Sequence, residues 1–105
     1  MIVSAEGMAT LVYTDVDGVD RSFSLGGDPV MVGRAADCAI RSEDPRVSRM
    51  HARFYLDQGQ LWVEDLGSSN GTFINEKKIT KMTLTHNDVV RCGTLQVRFV
   101  EVEPG

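Results

Sequence analysis

The chain has 105 residues, 42% of them hydrophobic and 25% charged, with three prolines and ten glycines, which suits one globular domain that buries roughly 60–70% of its unfolded surface. Its 11 basic and 15 acidic residues leave a net charge of −4, which argues against sequence-independent nucleic-acid binding, where a basic surface supplies the affinity. Met1 to Met8 has no basic flank and no long apolar run, and no later stretch approaches the ~20 apolar residues that cross a bilayer, so neither a secretory leader nor a membrane partner is expected.

In chain order, apolar residues alternate with period two almost everywhere, and no window has the spacing and caps of a long helix. Ala9 to Thr14 and Val19 to Leu25 are predicted strands joined across Asp15-Val16-Asp17-Gly18, where Asp-Gly supplies positive φ angles for a hairpin turn. Gly26-Gly27-Asp28-Pro29 stops the second strand. Val30 to Val32 is a short strand running into Gly33-Arg34, and Cys38 to Arg41 is another, with Cys38 and Ile40 facing inward. Ser42 to Arg49 is polar and contains Pro45, so a loop is expected there. Alternation resumes in His51 to Leu56, where Ala52, Phe54 and Leu56 share a face. After the turn at Asp57-Gln58-Gly59, Leu61 and Val63 repeat the pattern up to Leu66.

Gly67-Ser68-Ser69-Asn70-Gly71 is a dense turn cluster. Beyond it come Thr72 to Asn75, a turn at Glu76-Lys77, and short pieces around Ile79 and Met82 to Leu84. Lys77, Lys78 and Lys81 are read as a solvated basic turn that protects a sheet edge. Asp88 to Cys92 and Thr94 to Val102 complete the strands. In the last one Leu95, Val97 and Phe99 alternate, but Val100 and Val102 have the opposite parity, which predicts a bulge or a change of partner near Phe99.

Roughly ten short strands separated by turn signals define an all-β sandwich or barrel. A sandwich gathers its loops at two ends, so residues 42–50 and 67–71 are expected to meet at one of them and carry function on a rigid scaffold. Cys38 and Cys92 lie in apolar runs, and one isolated pair is no secreted disulfide framework; both read as buried small hydrophobes of a cytoplasmic protein. Cys38, His51, His86 and Cys92 include no close ligand pair, so no metal or other cofactor is expected.

The candidate end offers Arg34 after Gly33, then Arg46, Ser48 and Arg49 from one loop, and Ser69, Asn70 and Gly71 from the other. Arginine presents a planar fork that matches phosphate oxygens, a hydroxyl adds a neutral donor, and asparagine donates to and accepts from a peptide backbone at once. Glycine beside the asparagine lets another backbone come close. Charge is concentrated here too: Gly33 to Arg53 holds five arginines against three acids, while the rest of the chain holds six basic and twelve acidic residues. An acidic domain with one arginine-rich end suits a single phosphate, bound more weakly as salt rises.

Gly33-Arg34, Ser48-Arg49-Met50-His51-Ala52, Asp65-Leu66-Gly67-Ser68-Ser69-Asn70-Gly71-Thr72 and Ile74-Asn75 occur in that order, and together they resemble the signature of the forkhead-associated (FHA) domain over about residues 9–102. The resemblance implies a sandwich of about eleven short, mainly antiparallel strands that binds phosphothreonine peptides through loops at one end. It also implies phosphate contacts from Arg34, Ser48, Arg49 and Ser69, and a hydrogen bond from Asn70 to the peptide main chain just after the phosphothreonine. Arg46 matches a position that reads the third residue after the phosphothreonine, with a mild preference for an acidic or polar side chain. Gly33, His51, Asp65, Gly71, Thr72 and Asn75 match scaffold positions, His51 as a brace for the loops. The preference for threonine comes from the resemblance alone, because burying one γ-methyl is worth only ~0.8 kcal/mol.

Residues 1–8 are expected to be a flexible N-terminal segment, 9–102 the domain and 103–105 a C-terminal tail, in a chain excised from a longer protein. The implied partner is another protein, phosphorylated on threonine by a Ser/Thr kinase and bound by a monomeric domain in the cytoplasm. About eight residues precede the first strand, too few for a self-docking phosphorylated tail. A hydrolase triad of Ser48, His51 and Asp65 lacks a nucleophile elbow and an oxyanion-hole motif, so no enzyme is expected. The alternative is an FHA-like module that docks or oligomerises through a sheet face without phosphate.

Overall fold

The computed structural model describes residues 8–102. Among these the alternating segments form eleven strands and no helix: β1 (Met8–Thr14), β2 (Asp20–Ser24), β3 (Val30–Gly33), β4 (Ile40–Arg41), β5 (Ala52–Asp57), β6 (Gln60–Asp65), β7 (Thr72–Ile74), β8 (Lys77–Ile79), β9 (Lys81–Thr83), β10 (Val89–Cys92) and β11 (Leu95–Val102). They build a six-stranded sheet in the order β2-β1-β11-β10-β7-β8 and a five-stranded sheet in the order β4-β3-β5-β6-β9. The pairings are antiparallel except for β3 with β4.

Period-two alternation is what makes this a sandwich, because it gives each sheet one apolar face. Leu11, Val90, Val97 and Phe99 from the larger sheet meet Val32, Phe54, Leu61 and Val63 from the smaller one, all at 1% exposure or less. Each such side chain contributes roughly 1.5–3 kcal/mol of burial. Among the described residues no buried side-chain nitrogen or oxygen lacks a hydrogen-bond partner. Cys38 and Cys92 are buried free thiols, as their apolar surroundings suggested.

Some boundaries differ from the expected ones. β1 begins at Met8, which pairs with Val102, and the rest of the expected N-terminal segment and the C-terminal tail lie outside the described residues. Cys38 is not in β4; its amide closes a turn on the Ala35 carbonyl at 3.1 Å. In the first hairpin only Gly18 of the Asp-Gly pair takes a positive φ, and the Asp15 carboxylate accepts the amides of Asp17 and Val19 in place of a tighter turn. No bulge interrupts β11 against β1, whose register runs unbroken from Tyr13↔Val97 to Met8↔Val102. The opposite edge of β11 does change partner: pairing with β10 ends at Arg98, and Phe99 bonds instead to the backbone of Asn87 and Asp88.

Topology brings four connections to one end. The parallel register Gly33↔Arg41 delivers Arg34 and Arg41 to the end where β3 stops. β5 starts there, so the pairing Ala52↔Asp65 makes β6 finish there, and residues 66–71 leave from the same place. Thr72↔Cys92 adds the turn between β10 and β11.

Candidate functional site

The end of β3 is built around Gly33, whose missing side chain admits the loop before β5. A Cβ at Gly33 would stand 2.1 Å from the Arg49 carbonyl oxygen and 2.9 Å from that of Ser48. That close approach lets the Arg34 amide donate to the Ser48 carbonyl and the Ala35 amide to the Arg49 carbonyl, both at 3.1 Å. Arg34 also donates from Nε to the Val47 carbonyl, so its side chain lies along the backbone leading into Ser48 while its terminal nitrogens stay available.

His51 is fully buried beneath this loop. Its Nδ1 accepts the Ser48 amide at 3.0 Å, and because an amide can only donate, the ring proton sits on Nε2 and is donated to the Gly71 carbonyl at 2.9 Å. One imidazole thereby links the loop that carries Ser48 to the loop that carries Asn70.

The second loop is wound around Asp65. Its carboxylate accepts the amides of Gly67 and Ser68 at 3.1 and 3.2 Å, the Thr72 hydroxyl at 2.7 Å and the Ser68 hydroxyl. Burial alone pushes this carboxyl up, but the hydrogen bonds outweigh it and hold the pKa below the ordinary aspartate value. Ser68 in turn accepts the Gly71 amide at 3.0 Å, where Gly71 takes φ 88°, a conformation that glycine adopts without strain.

Two bonds clamp the loops to each other. The Ser69 amide donates to the Ser48 Oγ at 3.0 Å, and the Asn70 side-chain nitrogen donates to the Arg46 carbonyl at 2.8 Å. The Ser48 oxygen is thus occupied as an acceptor while its proton stays free to be donated outward. Asn70 keeps its carbonyl oxygen and a second N–H, the pair of groups that matches an extended backbone.

Asp44 anchors the first loop from below. Its carboxylate accepts the Arg46 amide at 3.0 Å and the Arg46 Nε at 3.2 Å, together with the amide and hydroxyl of Thr94 in the β10–β11 turn. These bonds, those of Thr94 foremost, hold the Asp44 carboxyl far below its usual value. Gly93 makes room for the anchor, because a Cβ there would lie 3.0 Å from both the Asp44 carboxylate and the Val47 side chain. Val47 itself is fully buried, pinning a loop whose composition is otherwise polar.

Arg34, Arg46, Ser48, Arg49, Ser69 and Asn70 therefore meet at one end of the sandwich, and Gly33, His51, Asp65, Gly71 and Thr72 form the scaffold beneath them. Asn75 lies apart from this scaffold: it bonds the Asp88 carboxylate and the Val89 backbone at the β7–β8 turn. Ser48, His51 and Asp65 form no relay, since both ring nitrogens of His51 are bonded to main chain and Asp65 serves its own turn. No group of three potential metal ligands occurs among the described residues. Sequence reasoning missed Ser68, Asp44 and Thr94. The Asp65/Ser68 spacing was a readable turn signal, whereas Asp44 and Thr94 are fifty residues apart and gave none.

Arg46 is paired with Asp44 at 3.2 Å, but among the described residues no carboxylate lies within ion-pair distance of Arg34, Arg41 or Arg49. Arg41 donates from Nε to the Arg34 carbonyl at 3.2 Å. The end is a rigid, cation-rich surface with outward hydroxyl and amide donors.

Fold and site define a β-sandwich with two cross-bonded loops at one end, where exposed arginines stand beside hydroxyl and amide side chains. The FHA domain family model matches residues 30–93, and the chain belongs to that family. Over 94 residues it is 34% identical to the glycogen accumulation regulator GarA of Mycolicibacterium smegmatis, covering 90% of this chain and 60% of that protein. The chain thus spans about three-fifths of the length of that relative. A solved FHA structure from work on phosphothreonine-dependent interactions superposes with a TM-score of 0.80 at 30% identity, covering 93% of this chain and 99% of that one. An FHA domain from Chlamydia trachomatis gives 0.82 at 29% identity, covering 91% and 99%. Among the described residues no helix is long and apolar enough to cross a membrane.

Proposed function

We propose that this end of the sandwich binds a phosphothreonine peptide and so couples the chain to a partner marked by a Ser/Thr kinase in the cytoplasm. The observation that carries the reading is the double clamp between the loops, Ser69 amide to Ser48 Oγ and Asn70 to the Arg46 carbonyl. Together with the bond from the Arg34 Nε to the Val47 carbonyl, it holds a hydroxyl, an amide side chain and the Arg34 fork in one frame, which lowers the entropy lost on binding. Arg34, Ser48, Arg49 and Ser69 hold the phosphate, Asn70 holds the main chain just after the phosphothreonine, and Arg46 faces the residues that follow. The reaction class is recognition, with no bond made or broken.

The test is to map amide chemical shifts as a phosphothreonine peptide is titrated in. Changes confined to residues 33–35, 46–49 and 68–71 support the reading. Changes centred on either sheet face, or equal response to the unphosphorylated peptide, support phosphate-independent docking instead.

A further inference from the structure

A second anionic contact adjoins the proposed phosphate site, at Arg41. The parallel pairing of β3 with β4 sets Arg41 opposite Gly33, at the end of the outermost strand of the smaller sheet. Its Nε donates to the Arg34 carbonyl at 3.2 Å, which places the guanidinium beside the backbone that carries Arg34. It is exposed, and among the described residues no carboxylate lies within ion-pair distance of it. Arg34, whose carbonyl it touches, likewise has no carboxylate within ion-pair distance among the described residues, so this end of the sandwich carries uncompensated positive charge.

We infer that Arg41 recognises a second anionic group on the bound segment, placed on the N-terminal side of the phosphothreonine. The direction rests on the functional reading above. In the sheet order β4-β3-β5-β6, Arg41 belongs to one flank, while Asn70 follows β6 on the other. If Asn70 holds the main chain after the phosphothreonine, the segment before it runs toward β4. A carboxylate and a second phosphate share the needed chemistry, because arginine takes either as a two-point acceptor.

The experiment compares four phosphothreonine peptides by fluorescence anisotropy at low salt. The three residues before the phosphothreonine are all glutamine, all glutamate, or glutamine with one phosphothreonine; a fourth peptide carries glutamates after the phosphothreonine instead. With the wild-type chain, the preceding glutamates are expected to tighten binding about three- to fivefold over glutamine, as for an exposed charge pair, and the second phosphate by more. In Arg41→Gln the all-glutamine peptide should lose little affinity and the glutamate gain over it should vanish, whereas Arg41→Lys should restore part of that gain.

A gain from the preceding glutamates that persists in Arg41→Gln, or a gain from glutamates after the phosphothreonine that is lost in Arg41→Gln, overturns the inference alone. So does the absence of any acid preference. If no phosphothreonine peptide binds at all, the functional reading falls and takes this inference with it. Circular dichroism of Arg41→Gln should match the wild type, since the side chain is exposed and supplies one hydrogen bond.

Discussion

The Ser48 hydroxyl oxygen accepts the backbone amide of Ser69 at 3.0 Å, joining two loops that are 21 residues apart in the chain. Ser48→Ala removes this bond and the outward proton together. Because Ser69 is exposed, water can satisfy its amide, so the stability cost should be below about 1 kcal/mol. Phosphopeptide affinity should fall roughly 10- to 100-fold, the worth of a hydrogen bond to a charged acceptor. Thermal unfolding and peptide titration of the same sample separate the two effects.

His51 should behave in the opposite way. It is fully buried and satisfies the Ser48 amide and the Gly71 carbonyl from one ring, so His51→Phe leaves both groups without partners. The expected loss is about 2–5 kcal/mol of stability, read as a lower urea midpoint, with peptide binding impaired as the loops separate.

Gly33→Ala and Gly27→Ala form a matched pair. The first puts a methyl 2.1 Å from the Arg49 carbonyl, and since the obstacle is backbone the Ser48 loop must move. Destabilisation of about 1–3 kcal/mol is expected, with loss of slow amide exchange at Arg34 and Ala35. At Gly27 a Cβ would meet nothing within 4 Å and φ is not positive, so alanine there should be neutral or stabilise by about 0.4–1 kcal/mol.

Acid should weaken the turn that presents Asn70. The folded pKa of Asp65 lies below its unfolded value, as do those of Asp44 and Asp88. Their hydrogen bonds thus stabilise the fold fully above the ordinary aspartate range near pH 4, and that contribution disappears as pH falls through the lowered values. Urea midpoints measured from about pH 6 down to pH 2 should drop, and Asp65→Asn should flatten the curve while lowering it at neutral pH.

The two thiols should be inert in the folded chain. Burial pushes the Cys92 thiol up to about 12 and raises that of Cys38, and only the thiolate reacts quickly. Iodoacetamide at pH 8 should label neither residue until denaturant is added; rapid labelling of native Cys92 contradicts its placement in the core.

Much of this was legible because it is local. Alternation in residues such as Ala52, Phe54, Leu61 and Val63 marks strands and the buried face alike, and Asp-Gly and Asn-Gly mark turns. The motif pieces around Arg34, Ser48 and Asn70 named residues that the fold brings together at one end of the sandwich. Sequence spacing did not reveal what holds those pieces together. The Asp44–Thr94 anchor and the Ser48–Ser69 clamp join residues distant along the chain, and the parallel β3–β4 pairing that sets Arg41 beside Arg34 has no periodic signature. Val47 stands among polar residues and Pro45 in residues 42–49, and only tertiary packing gives it a buried place.

The most direct test of phosphate recognition is a titration of one peptide in three forms, phosphothreonine, phosphoserine and unphosphorylated threonine, against the wild type and Arg34→Ala. The wild type should bind the phosphothreonine form best, the phosphoserine form less well and the threonine form not measurably. Binding should tighten as pH rises through about 6, where the phosphate takes its second charge. Arg34→Ala should abolish it with the fold intact, because the side chain is exposed. Equal binding of the threonine and phosphothreonine forms, or undiminished binding by Arg34→Ala, would contradict phosphate recognition at this end of the sandwich.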